Sequence, residues 1–162
     1  IDYVIDAFKE VHQLHPDTHL LLANAGGNYQ TVIQEKLNRL PEDSYTEINF
    51  EPDLFSLYQL LDIYCHTPIN PRVEAFGQTY IEALAAKVPS IFTQSGIAND
   101  FIKNEWNALV VDFENTQDIK KAMVQLLEND ELVNVLIKNG LESVQQFQLT
   151  AMTEKLKRLY LS

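Results

Sequence analysis

The apolar positions fall into two alternating rhythms. At the start, Ile1, Val4, Ile5, Phe8 and Val11 recur at spacings of three and four, as on one face of a helix. The run THLLLAN (18–24) is short, apolar and followed by Gly26-Gly27, which predicts a buried strand and a turn. Helical spacing returns over 29–40 at Val32, Ile33, Lys36 and Leu37 and stops before Pro41. A strand is predicted at 44–50, then a short helix over 53–61 with Asp53 as its N-cap. The stretch 62–67 reads as a strand, 78–86 as a helix, 89–93 as a strand, 97–105 as a short helix and 107–113 as a last strand. Helices are predicted near 116–128, 130–146 and 150–161.

Strands alternating with helices predict an α/β domain, a Rossmann-like parallel sheet with helices on both faces. Repeats, low-complexity tracts and interdomain linkers are absent from the sequence, so residues 1–162 are expected to form a single domain. The chain opens without Met and inside a helical face, which reads as a chain cut upstream.

Composition changes this picture little. Of the 162 residues, 46% are apolar and 22% charged, ordinary values for a globular chain. The net charge of −11 disfavours a nucleic-acid partner, which would want a basic face. The lone Cys65 excludes an internal disulfide and suits a reducing, cytoplasmic setting. No apolar run reaches membrane-spanning length.

Candidate chemistry concentrates in PRVEAFGQTYIEALAAKVPS, residues 71–90. Ligands of open α/β sheets bind outside the carboxyl ends of the strands, and this stretch joins such an end to a helix. Phe76, Gly77 and Gln78 fall where the helix starts, so their backbone N–H groups would suit an anion. Gly77 lets backbone approach a ligand closely. Glu74 and Glu82 flank the turn and would accept hydrogen bonds from hydroxyls beside a phosphate, as in a sugar or a ribose. Thirteen glutamates make one pair at this spacing expected by chance, so the pair alone identifies nothing. His12, His15 and His19 lack partners at metal-ligand spacing, and no Asp-x-Asp occurs, so no metal site is predicted. His66 follows a strand and could line the cleft, although a packed or solvated histidine is the commoner case; Tyr58 and Tyr80 read as core or rim aromatics.

Around that turn, EAFGQTYIEALAAKVPSIFTQSGIANDFI resembles the donor-binding segment of glycosyltransferase family 4, the retaining enzymes of GT-B fold. Glu74, Phe76, Gly77, Glu82, Ala83, Pro89 and Gly96 match its pattern, and Asp100 matches by type. HLLLANAGG, LFSLYQLLDIYCHTP and NEWNALVVDFENTQDIKKAMVQLLENDEL extend the likeness over nearly the whole chain. The resemblance implies the C-terminal half of a GT-B fold without its first, central strand, in a sheet ordered 3-2-1-4-5-6. It implies that Glu74 meets donor-sugar hydroxyls and is the residue nearest the chemistry. It places the amides of Phe76, Gly77 and Gln78 on the distal phosphate, Glu82 on the ribose, and Phe50, Glu51 and Gly96 along the base and cleft.

The nucleotide-diphosphate sugar is then a substrate, with no cofactor, and the acceptor is a hydroxyl compound. The family's phosphate-gripping Arg and Lys and the N-terminal acceptor domain lie outside the chain, so the chain alone is expected to be inactive. Arg72 could assist the phosphates, although a loop arginine more often faces solvent. The whole enzyme is expected in the cytoplasm, with any contact to the membrane face made by the absent domain. A related phosphorylase, a sugar-nucleotide epimerase, or a degenerate module kept for protein contact are the alternatives. Lys87 stands where the family often has Gly, so the helix is expected to end without a left-handed residue.

Overall fold

The structure, a computed structural model, describes residues 1–23, 27 and 29–161. Helices α1 (Asp2–Leu14) and α2 (Gln30–Leu37) bracket strand β1 (Leu20–Ala23), and β2 (Tyr45–Ile48) follows. Next come α3 (Leu54–Tyr58), β3 (Tyr64–His66), α4 (Gln78–Ala85), β4 (Ser90–Phe92), α5 (Ala98–Phe101) and β5 (Leu109–Val110). The chain closes with α6 (Thr116–Glu128), α7 (Asp130–Val144), a 3₁₀ turn at Gln145–Phe147 and α8 (Leu149–Leu161). Every predicted strand and helix is present, and the alternation of type is as expected. The turn expected at Gly26-Gly27 lies in part outside the described residues.

All strand pairs are parallel, but they form two sheets. One has the order β1-β2, the other β3-β4-β5. Among the described residues β1 pairs only with β2, and β3 only with β4. The order 3-2-1-4-5-6 without its first strand leaves one ladder of two strands and one of three with a break between them, and among the described residues the ladders are β2-β1 and β3-β4-β5.

Helix α1 spans that break with two adjacent faces. Ile5 and Phe8 pack with Leu22, Ile33, Leu37 and Leu40 of the β1–β2 half. Val4, Ala7 and Val11 pack with Ile91, Leu109, Ile119 and Leu126 of the other half. The spacings of three and four that marked α1 as amphipathic serve two cores. Lys120 adds a 2.7 Å bond to Glu10, tying α6 to the same helix. A third cluster, containing Tyr58, Tyr80, Leu84, Phe92, Phe101 and Val144, underlies α4.

Caps explain several boundaries. Asp53 Oδ1 accepts from Ser56 N (3.1 Å), as its N-cap role predicted. Asn115 and Asn129 likewise accept from Asp118 N and Leu132 N. The last strand is shorter than the predicted 107–113 because Asn107 is a corner. Its buried side chain accepts from Lys103 N and donates to Phe101 O and Ser143 Oγ.

The end of α4 departs from expectation. Lys87 is left-handed, with φ +66°. Lys87 N donates to Leu84 O and Val88 N to Ala83 O, both at 3.1 Å. That is a Schellman closure, with Val88 and Ala83 both buried beneath it. Two backbone bonds and this apolar contact hold a lysine in a conformation glycine would adopt more easily.

Candidate functional site

The site grows from the carboxyl ends of β3 and β4. Thr93 Oγ1 donates to Pro68 O (2.7 Å), holding the start of the loop after β3. Further along, Glu74 N donates to Ser95 Oγ (3.1 Å) and Ile97 N donates to Phe76 O (3.0 Å). Gly96, at φ +56°, lies where a Cβ would sit 3.0 Å from Glu74 Cβ, Glu74 O and Phe76 O. The loop after β4 is therefore pressed against the segment 74–76, and Gly96 supports that segment from beneath.

Gly77 is the N-cap of α4, left-handed at φ 80°, ψ 60°, and no side chain caps the helix. A Cβ there would meet the Tyr80 ring at 2.6 Å, so backbone conformation and space both demand glycine. Tyr80 N returns to Gly77 O (3.2 Å), and Gln78 is exposed at the helix start. Phe76 is half-exposed and turns its ring edge-on to Phe147, so only its backbone belongs to the turn.

The two carboxylates rest on one aromatic bed. Glu82 Oε2 accepts from Tyr58 OH (3.3 Å). Tyr58 meets Tyr64 edge-on (5.2 Å), and the Tyr64 ring lies parallel to His66 (6.3 Å). His66 in turn meets the edge of Tyr80 (4.8 Å), and Tyr80 packs on Phe92 (4.7 Å). Tyr80 OH donates to Thr93 O (2.8 Å) within the core. Burial pushes the phenols of Tyr58, Tyr64 and Tyr80 above their ordinary range, so they remain donors. At the far end of the bed, His66 Nε2 lies 3.2 Å from Glu74 Oε1. That contact is off the line a hydrogen bond requires, and Nε2 has no aligned partner among the described residues.

The remaining predicted residues are placed as follows. Phe50 is three-quarters exposed just past β2, and Glu51 Oε1 accepts from Asp53 N (2.8 Å). Arg72 is exposed, with its backbone N–H on Asn70 Oδ1. Cys65 is partly buried against apolar neighbours, and desolvation pushes its thiol up to about 12. Among the described residues no three His, Cys, Asp or Glu side chains converge as metal ligands, and no helix is long and apolar enough to cross a membrane. A cleft of about 300 Å³ opens beside the sheet break, lined by Ile1, Asp2, Tyr29, Ile33, Ile69 and Glu114 among others. Its lining has carboxylates but no Lys, Arg or His, so it does not suit phosphates. It contains neither Glu74 nor Glu82, and the turn at Gly77 offers the better-matched chemistry.

Sequence reasoning missed the contacts of His66 with Glu74, Tyr58 with Glu82 and Ser95 with Glu74. The spacing of Tyr64 and His66, two apart on a strand, was the available signal, since it puts both rings on one face of β3.

The α/β domain thus carries a glycine-turned helix start with no side-chain cap, flanked by Glu74 before it and Glu82 within the helix. The family model described as "Glycosyl transferases group 1" matches residues 1–143, and the chain belongs to that family. Alpha-monoglucosyldiacylglycerol synthase of Acholeplasma laidlawii is 23% identical over 163 residues, covering 98% of this chain and 39% of that protein. Anabaena HepE, solved in complex with UDP-glucose, superposes with a TM-score of 0.84 at 19% identity, over 98% of this chain and 44% of that one. The C-terminal domain of a group 1 glycosyl transferase, LpcC from Francisella tularensis, gives a TM-score of 0.78 at 21% identity, over 91% and 79%. The fold is therefore the C-terminal half of a GT-B glycosyltransferase. The chain spans less than half the length of the curated relatives that match nearly all of it.

Proposed function

We propose that this chain is the donor-binding half of a retaining, metal-independent family 4 glycosyltransferase that moves a sugar from a nucleotide diphosphate to an acceptor hydroxyl. The observation that carries the reading is the uncapped α4 N-terminus at Gly77, set between Glu74 and Glu82 on a common aromatic bed. Glu74 accepts hydrogen bonds from the donor sugar and Glu82 from the ribose. The amides at Phe76, Gly77 and Gln78 face the distal phosphate. As the glycosidic bond breaks, charge builds on that phosphate, and fixed N–H dipoles stabilise it without having to reorganise. Phe50 and Glu51 border the base, and Gly96 keeps the sugar-side loop in place.

In this reading residues 1–162 form one domain of a longer cytoplasmic protein. A strand preceding α1 fills the break between β1 and β3, basic residues near it grip the phosphates, and an N-terminal domain brings the acceptor. This half alone transfers nothing.

The test uses the full-length protein with UDP, GDP and ADP sugars. Glu74→Gln is expected to lower kcat about 10- to 100-fold, the loss of one or two charge-assisted hydrogen bonds, with little change in nucleotide affinity. Glu82→Gln is expected to weaken nucleotide binding by a similar factor. Equal loss of nucleotide affinity in both variants overturns the assignment. Activity is expected to persist in EDTA; abolition with rescue by manganese overturns metal independence.

A further inference from the structure

We propose that His66 is a positioning residue for the donor sugar, acting through Glu74: its Nε2–H holds one carboxylate oxygen and leaves the other for a sugar hydroxyl. This rests on the donor-binding reading above. The imidazole is partly buried, and one of its nitrogens has an unmet need. Its Nε2 is shielded from solvent and lacks an aligned partner among the described residues, although Glu74 Oε1 is only 3.2 Å away. Such orphaned polar atoms in a folded core ask for a functional explanation.

The geometry decides which nitrogen carries the proton. A lone pair on Nε2 facing a carboxylate oxygen at this distance would be repulsive, so the proton belongs on Nε2. Burial holds the imidazole below its ordinary 6.5 against the opposing pull of Glu74, so the ring is a neutral donor at neutral pH.

It also decides which partner moves. The His66 ring is set between the Tyr64 ring and the edge of Tyr80, and its carbonyl receives Thr93 N (3.3 Å). The Glu74 backbone is pinned by Ser95 and pressed on Gly96. The freedom that remains is rotation of the Glu74 side chain, which is partly open to solvent. A small swing aligns Oε1 with the Nε2–H and points Oε2 out of the loop. Binding a sugar hydroxyl to Oε2 favours that rotamer, so the orphaned N–H is satisfied when the donor is in place.

Two substitutions in the full-length protein separate this from a packing role. His66→Phe keeps an aromatic ring on the bed and removes the donor. His66→Gln removes the ring and keeps an N–H at similar reach. Loss of orientation at a reacting sugar costs up to about 100-fold. The expected result is kcat lowered about 10- to 100-fold in His66→Phe with the donor KM little changed, and most of that loss recovered in His66→Gln. Wild-type kcat in His66→Phe, or a loss in His66→Gln as large as in His66→Phe, overturns the proposal.

Nitrogen-15 NMR of the histidine rings gives a readout independent of turnover. The expected spectrum has His66 neutral and protonated at Nε2, with the Nε2 resonance displaced by Glu74→Gln. A ring protonated at Nδ1, or an Nε2 resonance indifferent to Glu74→Gln, overturns the contact. Absence of transfer from every nucleotide sugar would defeat the donor reading instead, while the tautomer would still decide whether His66 holds Glu74.

Discussion

The two sheets are built alike and finished differently. In β3-β4-β5 the middle strand is sealed: Ser90, Ile91 and Phe92 are all fully buried, and β4 has a parallel neighbour on either side. In β1-β2 only Leu22 is buried, and each strand has one partner among the described residues. The candidate site stands on the sealed half. A site that must fix carboxylates within fractions of an ångström needs strands that cannot shift, and the β4 ends supply Ser95 and Gly96 to pin Glu74. The β1-β2 half offers a smaller core, centred on Leu22, Ile33 and Leu37, and contributes Phe50 and Glu51 at its margin.

The contrast can be broken most strongly by filling the gap. A chain extended upstream by about 20 residues, enough for one strand and its loop, is expected to melt well above residues 1–162. Each buried backbone group newly paired is worth about 1–3 kcal/mol. Amide exchange should slow in β1 and β3 together; an unchanged melt would show the two sheets to be independent of any such strand.

Within the chain, Phe92→Ala removes a fully buried ring that packs on Tyr64 and Tyr80, and is expected to cost about 3–5 kcal/mol. Leu22→Ala in the looser half is expected to cost about 2–3 kcal/mol, read from denaturant midpoints. A reversal of that order would make β1-β2 the better-packed half. Lys87→Gly relieves a left-handed lysine, and after glycine's greater chain entropy is subtracted it should stabilise by about 0.5–1 kcal/mol. Exchange in β1-β2 should not respond.

Periodicity exposed the order and type of the strands and α-helices, because helices such as α1 and α6 hide one consistent face and the strands read as short apolar runs. Boundaries were less legible where side chains took over from backbone, as at Asn107, whose amide converts the head of a predicted strand into a corner. The ending of α4 was misread because a residue-by-residue rule prices Lys87 alone. The Schellman bonds and the Val88–Ala83 contact belong to the whole turn. At the site, Glu74, Gly77 and Glu82 were legible from a local pattern. His66, Ser95 and Tyr58 were not, since each reaches its glutamate across 8 to 24 residues of chain and only the folded sheet brings them together.

Among the described residues the halves share no hydrogen-bonded ladder, and α1 packs into both cores like an axle keyed on two sides. Ile5 and Phe8 are the key toward β1, and Val4, Ala7 and Val11 the key toward β4. Trimming one key loosens one half on a shaft that still grips the other. A break in the shaft itself, as a proline at Ala7 would make, uncouples both at once. The distance between the margin that carries Phe50 and the turn that carries Glu74 is thus gauged by a helix that touches neither residue's loop through any ladder. In that sense α1 is the calliper that sets one half against the other.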